Sequence, residues 1–506
     1  MSSNTKIAKN TLMLYFRMLF NMGVTFYTSR IILHTLGVED YGIYNVVGGV
    51  IILFSFLNIS MSSATQRFLT FELGRNAGLE RMKKIFSTSL NIHIFISLLI
   101  LLIGETIGLY FLNSYMLIPD SKMFAANWVY QCSLFASCIG IVALPYMAII
   151  ISYERMSVFA CISILDTLLK LLVAYALYTI PSDRLIVYSV LMFSVSNIQI
   201  AIYIIYCRRN FLESKYRYIR DKALLRNMFS FAGWNMIGNL SYIGFTQGIN
   251  VLLNVFFGPS INAARGIAVQ LQGGVNQLAR NFQMAVNPQI TKDYAAGNLS
   301  EMYTLVFRSS RFSFFLVFIL ALPLILQTEK VLMWWLGEIP DYTIIFFKII
   351  ICISLIDTLA NPLNTCAMAT GKIKYYQIVE GGILLMIVPA SYVLLKIIVV
   401  PYVAFGVHFF IALLTQVVRL FLLKKMVYIS LSDYFRFVVL RILLVLVLIL
   451  SILYTLNFLM PTIMGQFFAC TFIAITISGI VIFRIGLIAE ERNFIIGKLK
   501  HLYRKQ

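Results

Sequence analysis

Two arginines lie inside a stretch of sequence that is otherwise suited to cross a membrane. Arg265 and Arg280 fall within residues 261–290, which as a helix are long enough to span a bilayer. A charged side chain at bilayer depth costs about 2.5–3.5 kcal/mol on insertion scales, so it normally faces water, a partner or a ligand. At 100° per residue, both arginines share an arc of about 80° with a set of amide side chains. These amides are Asn262, Gln272, Asn276, Gln283 and Asn287.

This polar stripe has two interpretations. Fixed positive charges beside amides suit a cavity that holds an anionic ligand, and intramembrane charges are functional by default. Alternatively, the stripe is a seam in which amide hydrogen bonds join neighbouring helices, which is common in membrane bundles. The presence of Arg265 and Arg280 favours the cavity, because a seam of amides needs no charge.

Two further segments carry similar stripes. In the first predicted span, Arg17 and Asn21 fall within about 40° of each other on a helix. In the seventh, Asn239 and Asn250 fall within about 60° of each other, together with Thr246. The substrate-binding residues predicted from all three stripes are Arg17, Asn21, Asn239, Asn250, Arg265, Gln272, Asn276, Arg280 and Gln283.

Three intramembrane carboxylates are candidates for coupling to a proton or another cation, since such groups often serve as relays. They are Asp166, Asp357 and Glu380. Asp166 lies four residues before Lys170, so an ion pair on one helix face is the alternative. Lys348 lies nine residues before Asp357 and falls on roughly the opposite face.

The composition places the chain among polytopic all-α membrane proteins. Of its 506 residues, 60% are hydrophobic and only 12% are charged, whereas soluble domains are about one quarter charged. Nucleic acid is the obvious partner to test against a net charge of +20, but the basic residues lie in short loops between apolar spans. Positive-inside topology explains that placement better, so no nucleic-acid partner is expected.

The sequence lacks the usual signatures of an enzyme or a metal protein. There is no CxxC pair, the four histidines are scattered, and no GxSxG, HExxH or glycine-rich phosphate loop occurs. We therefore expect no metal, no cofactor and no enzymatic activity.

Apolar windows predict about fourteen transmembrane helices. Their centres lie near residues 22, 54, 98, 138, 168, 196, 242, 276, 316, 355, 385, 412, 446 and 473. Lysine and arginine concentrate in alternate loops, which predicts a multi-pass membrane protein with both termini in the cytoplasm.

The chain shows weak internal duplication on either side of a basic mid-chain loop. A shift of 221 positions aligns Gly37 with Gly258 and Thr70 with Thr291, and Pro145 resembles Pro362 in its surroundings. This predicts two pseudo-symmetric six-helix lobes plus a C-terminal helix pair. The predicted domains are 1–207 for the N-lobe, 208–226 for a basic cytoplasmic linker, 227–424 for the C-lobe, and 425–506 for spans 13 and 14 with a cytoplasmic tail.

Two local motifs resemble those of a known superfamily. Residues 36–44 read LGVEDYGIY after the arginine-bearing first span, and Pro145 precedes SYERM at 152–156. Together with the span count, the two lobes and the linker, they resemble bacterial polysaccharide transporters of the multidrug/oligosaccharidyl-lipid/polysaccharide (MOP) exporter superfamily.

The resemblance implies a Wzx-type flippase of the bacterial inner membrane. Such a flippase moves an undecaprenyl-pyrophosphate-linked oligosaccharide, a repeat unit of O-antigen, capsule or exopolysaccharide, by alternating access. Cationic residues on the first and eighth spans are a feature of such flippases, and Arg17, Arg265 and Arg280 occupy matching spans. The implied partners are the lipid-linked substrate, membrane lipids and other membrane proteins of polysaccharide assembly.

Two other functions remain open. A multidrug cation antiporter of the same superfamily would call for carboxylates in the early spans of each lobe, where this chain has arginines. A membrane glycosyltransferase, polymerase or ligase would call for a sizeable outer loop with acidic or histidine catalysts, and the predicted outer loops are at most about 15 residues long.

Overall fold

The computed structural model describes residues 3–52, 55–116, 118–179, 183–218, 221–336, 338–460, 466–493 and 496. This described part is nearly all helical and contains no β-strand, as the composition predicts. In lipid the helix satisfies every backbone polar group within its own segment, which is why apolar windows of this length become helices.

The described residues up to Phe257 contain eight helices. They are α1 Ser3–Ile52, α2 Ser55–Gly74, α3 Gly78–Ile103, α4 Leu109–Tyr115, α5 Asp120–Ser152, α6 Met156–Thr179, α7 Arg184–Asn210 and α8 Lys222–Phe257. A π-helical segment, Gly104–Gly108, joins α3 to α4 without a break in the span, and a 3₁₀ turn, Leu212–Ser214, follows α7.

The described residues after Phe257 contain ten helices. They are α9 Pro259–Ala295, α10 Leu299–Leu326, α11 Thr328–Leu336, α12 Thr343–Ala369, α13 Lys374–Leu385, α14 Ile387–Ile397, α15 Val403–Val427, α16 Leu431–Tyr434, α17 Leu440–Leu459 and α18 Phe467–Val481. Two π-helical segments, Phe435–Val439 and Ile482–Gly486, lie before α17 and after α18.

The backbone breaks at positions that the internal duplication pairs. Gly37 interrupts α1 with a φ of 79°, and Gly258 separates α8 from α9 with a φ of 82°. Side chains are strained at such positive φ values, so glycine is the residue that permits each break. Pro145 and Pro362 lie inside α5 and α12 respectively, and each helix is followed by a residue with positive φ, Glu154 and Gly371.

The chain forms two compact units. The first comprises Met1–Leu240 and Thr291–Asn298, and the second comprises Ser241–Ile290 and Leu299–Gln506. Helices α8 and α9 each contribute residues to both units. The sequence prediction begins the second lobe at residue 227, whereas this division keeps the first half of α8 with the first unit.

Eleven helical segments of the described chain are long and apolar enough to cross a membrane. Thirteen of the fourteen predicted centres fall within described helices. The remaining centre, residue 54, lies outside the described residues together with residue 53. The helices near residues 22, 54 and 276 are not among the eleven, because polar side chains lower their hydropathy. These are the first, second and eighth predicted spans, and the count of fourteen stays a prediction.

The mid-chain linker is partly packed rather than fully exposed. Glu213 and Ser214 are buried, and the Tyr153 hydroxyl donates to the Glu213 carboxylate. The Tyr216 hydroxyl donates to Asn91 Oδ1 at 2.9 Å, which attaches the segment to α3. The basic tail beyond residue 496, which the sequence places in the cytoplasm, lies outside the described residues.

Candidate functional site

The amide side chains of the α9 stripe make a seam within the second unit. Gln272 and Asn276 both donate to the Ser354 hydroxyl of α12. Gln283 is buried and donates to the Ser313 hydroxyl of α10 at 3.0 Å and to the Thr358 carbonyl of α12 at 3.2 Å. For these three residues the structure has the helix–helix hydrogen bonds of the seam interpretation.

Arg265 joins the beginning of α9 to the end of α8. One terminal nitrogen donates to Asn250 Oδ1 and the other donates to the Thr246 carbonyl at 3.1 Å. Asn262 donates from Nδ2 to the Asn250 carbonyl oxygen at 3.1 Å. Two terminal N–H groups of Arg265 are therefore committed to its own unit before any ligand binds.

Arg280 differs from the rest of the stripe. Its side chain is exposed in the middle of α9, and it makes no hydrogen bond or ion pair with the described residues. The Tyr242 hydroxyl of α8 interacts electrostatically with the guanidinium groups of both Arg280 and Arg265. Because an unpaired charge inside a span is costly, Arg280 is the stripe residue best suited to a ligand.

Asp357 of α12 is the acidic counterpart of Arg280. It is exposed although it lies near the middle of its helix, and no ion pair holds it within the described chain. The Asp357 carboxylate also interacts electrostatically with Tyr242. An exposed guanidinium, phenol and carboxylate therefore share one region of the second unit.

The other two predicted coupling carboxylates are engaged in ion pairs. Lys170 Nζ lies 2.8 Å from Asp166 Oδ2, which is the pairing that their spacing predicts. Glu380 is buried and accepts from Arg419 Nε at 2.9 Å and Nη2 at 2.5 Å. This second partner lies 39 positions away, so no local pattern in the sequence indicated it.

The stripe of the first span lies in the first unit. Arg17 is half-buried and lies over the Phe159 ring, with its guanidinium carbon 4.8 Å from the ring centroid. Asn21 donates to the Ser163 hydroxyl at 2.9 Å. Both contacts join α1 to α6, so this stripe also forms a helix–helix seam over part of its length.

The predicted stripe of α8 is divided between the units. Asn239 donates to the Ser60 hydroxyl at 2.9 Å within the first unit. Asn250 belongs to the second unit, where it accepts from Arg265. The residue that sequence reasoning missed on this helix is Tyr242, although its position three residues after Asn239 and four before Thr246 places it on the same face.

The described residues contain no group of three histidine, cysteine, aspartate or glutamate side chains able to hold a metal ion. The site thus consists of an exposed arginine, an exposed aspartate and a tyrosine on three helices of a membrane bundle. The described chain contains eleven helical segments apolar and long enough to cross a membrane, which is typical of a polytopic membrane protein.

Solved structures show which transporters share this fold. A multidrug resistance MATE family transporter of the MOP superfamily, in an outward-facing conformation, superposes with a TM-score of 0.71 at 12% identity, covering 83% of this chain and 95% of that one. The MATE transporter ClbM in complex with Rb⁺ has a TM-score of 0.69 at 15% identity, covering 86% of this chain and 96% of that one. A MATE protein in a straight conformation has a TM-score of 0.72 at 10% identity, covering 84% of this chain and 97% of that one.

The chain therefore has the fold of the membrane transporters of the MOP superfamily. No protein-family model and no curated protein sequence matches it.

Proposed function

We propose that this protein is a transporter rather than an enzyme, and that it flips an undecaprenyl-pyrophosphate-linked oligosaccharide across the bacterial inner membrane by alternating access. The observation that carries the proposal is Arg280, an exposed arginine in the middle of α9, the predicted eighth span, with no hydrogen bond or ion pair among the described residues. A pyrophosphate carries at least two negative charges, and the planar guanidinium donates forked hydrogen bonds to phosphate oxygens.

Hydrogen bonds within the second unit argue against several of the predicted residues as ligands of the pyrophosphate. Gln272, Asn276 and Gln283 use their amide groups in the seam, so we assign them to helix packing rather than to binding the anion. Two of the Arg265 donors are already used in hydrogen bonds to Asn250 and Thr246. We assign the pyrophosphate to Arg280, with the Tyr242 hydroxyl as a neighbouring donor in the same unit.

A direct test is the binding of undecaprenyl pyrophosphate to the purified full-length protein in nanodiscs. The Arg280→Ala variant should bind the lipid at least tenfold more weakly, because a hydrogen bond to a charged group contributes about 1.5–3 kcal/mol. Arg280→Lys should recover part of the affinity through its charge, and Arg280→Glu should be no better than alanine.

Arg280→Gln separates the two interpretations of the stripe. Glutamine keeps hydrogen-bonding capacity and loses the charge, so it should restore binding only if Arg280 is part of a packing seam. Near-normal binding by this variant would refute the cationic site. Arg436→Ala is the matched control, because Arg436 is an exposed arginine of the same unit in the π-helical segment before α17, and it should bind as the unmodified protein does.

A multidrug cation exporter is the second candidate, and Asp357 is the observation that favours it. An exposed carboxylate inside a span suits an organic cation or a coupling ion, and the fold is also that of a multidrug resistance transporter. Binding of tetraphenylphosphonium that is lost in Asp357→Asn, with no binding of undecaprenyl pyrophosphate, would favour this candidate over the flippase.

We further propose that both termini and the 208–226 linker face the cytoplasm. The support is the placement of lysine and arginine in alternate loops. The proposed partners beyond the substrate are membrane lipids and other membrane proteins of polysaccharide assembly.

A further inference from the structure

The segment that joins α7 to α8 in the first unit carries an exposed set of cationic side chains. Both flanking helices, Arg184–Asn210 and Lys222–Phe257, are long and apolar enough to cross a membrane, so the segment begins and ends at a bilayer surface. Four of its cationic side chains are exposed and make no hydrogen bond or ion pair with the described residues. These four, here named the basic surface, are Arg209, Lys215, Lys222 and Arg226.

Neither acidic residue of this segment forms an ion pair with the basic surface. Glu213 is buried, and its carboxylate accepts from the Tyr153 hydroxyl. Asp221 caps α8, because its Oδ1 accepts from the Leu224 N–H at 2.9 Å. The positive charge of the basic surface therefore favours an anionic partner from outside the chain.

Hydrogen bonds to α3 fix the backbone of the segment. The Tyr216 hydroxyl donates to Asn91 Oδ1 at 2.9 Å. The Arg217 N–H donates to the Ser87 hydroxyl oxygen at 3.2 Å. Because a fixed backbone loses less conformational entropy when a ligand binds, the segment is preorganised for its partner.

The start of α8 combines basic with apolar exposed side chains. Lys222 and Arg226 lie four residues apart, so these like charges share one face of the helix and repel each other. Leu225 is 41% exposed and Phe229 is 37% exposed. At 100° per residue, all four side chains fall within an arc of about 100°. Such a face suits the boundary between headgroups and acyl chains, whereas a soluble anion would leave the apolar side chains in water.

We infer that the basic surface binds the headgroups of anionic phospholipids, of which phosphatidylglycerol is the probe. The lipid phosphates accept from the lysine and arginine N–H groups, while Leu225 and Phe229 contact the acyl chains next to the headgroups. Clusters of four or more cationic residues beside a transmembrane helix are typical of sites for anionic lipid. This inference goes beyond the proposed function, because it does not depend on the transported substrate.

The test places a fluorescent probe beside the basic surface. Tyr218 is 74% exposed, so the Tyr218→Cys variant of the full-length chain, with its seven native cysteines replaced by alanine, carries a bimane label there. The protein is reconstituted into phosphatidylcholine nanodiscs with a small fraction of either phosphatidylglycerol or phosphatidylcholine that carries a quenching spin label near the glycerol.

The ratio of the two quenching efficiencies measures the enrichment of anionic lipid at the segment. The spin-labelled phosphatidylglycerol should be enriched about fivefold or more, since each lysine or arginine near an anionic lipid contributes about that factor. Salt at about 1 M should remove the enrichment, because the Debye length then falls to about 3 Å.

Two double variants separate this surface from the general positive charge of the protein. Lys222→Gln with Arg226→Gln should reduce the enrichment to about twofold or less, while quenching by phosphatidylcholine stays unchanged because the segment still lies on the bilayer. Lys424→Gln with Lys425→Gln is the matched control. It removes the same charge from the exposed end of α15 in the second unit, and it should keep the full enrichment.

Three outcomes would overturn the inference. Equal quenching by both spin-labelled lipids in the unmodified protein would show that the segment does not select anionic lipid. No quenching by either lipid would show that the segment stands away from the bilayer, which would favour an acidic protein partner. Equal loss of enrichment in both double variants would assign the effect to net charge. Because no undecaprenyl lipid is present, none of these outcomes bears on the proposed function.

Discussion

A buried ion-pair cluster should anchor the C-terminal helix pair to α10, and the substitution Glu491→Ala tests it. Arg311 has a fully buried side chain and donates from Nη2 to both Glu491 oxygens at 2.5 and 2.7 Å. Arg308 Nε donates to the same carboxylate at 2.9 Å. Arg311 also donates to the Phe437 carbonyl at 2.6 Å.

The expected loss follows from the burial of Arg311. At 2.7 Å and an effective dielectric constant of 20, the pair attracts by about 6 kcal/mol, most of which offsets the cost of removing both charges from water. Removing only the carboxylate leaves an uncompensated buried guanidinium, for which a loss of about 3–5 kcal/mol in the free energy of unfolding is expected. Arg311→Met should cost less, because Glu491 keeps Arg308 and the Ile488 N–H.

The assay uses a buried cysteine as its probe. Cys470 in α18 is 1% exposed, so in a variant that retains it alone, reaction with a thiol dye reports the opening of the C-terminal pair on heating. Glu491→Ala should lower the temperature of that reaction strongly, and the double variant Arg311→Met with Glu491→Leu should recover much of the loss.

Glu80→Ala is the control for this experiment. Glu80 pairs with Lys83 at 3.2 Å, but its side chain is 67% exposed, and surface pairs contribute only about 0–1 kcal/mol. If Glu491→Ala lowers the reaction temperature no more than Glu80→Ala does, the cluster does not anchor the pair. A double variant no more stable than Glu491→Ala would refute the argument from the unpaired buried charge.

Two further predictions concern packing and topology. Gly74→Ala should destabilise the first unit by about 1–3 kcal/mol, because a Cβ there would lie 2.5 Å from the Lys292 carbonyl oxygen. Gly140→Ala is the control, because no atom lies within 4 Å of the added Cβ, and it should be neutral or stabilising by up to about 1 kcal/mol. Equal thermal midpoints for the two variants would contradict this packing. Single cysteines placed at the N-terminus, in the 208–226 linker and in the C-terminal tail should not react with an impermeant thiol reagent in intact cells, and labelling of the linker from outside would overturn the proposed orientation.

The sequence by itself determined the class of fold. Long apolar windows become helices because lipid offers the backbone no hydrogen-bond partners, so the helix positions and the absence of strands in the described chain follow from hydropathy. The pairing of Gly37 with Gly258 also came from the sequence, and both glycines have the positive φ that interrupts a helix. The ion pair of Asp166 with Lys170 was predictable because residues four apart share one face of a helix.

Only the tertiary structure decided which polar residues are available to a ligand. Helical periodicity shows that side chains share a face, but it does not show what lies opposite that face. Ser354 and Ser313 lie opposite the amides of α9, which places those amides in a seam, while Arg280 on the same stripe stays exposed. Likewise, Glu380 pairs with Arg419 and Glu491 pairs with Arg311, although the partners lie far apart in the sequence. Such ion pairs are set by the packing of whole helices and leave no local pattern in the sequence.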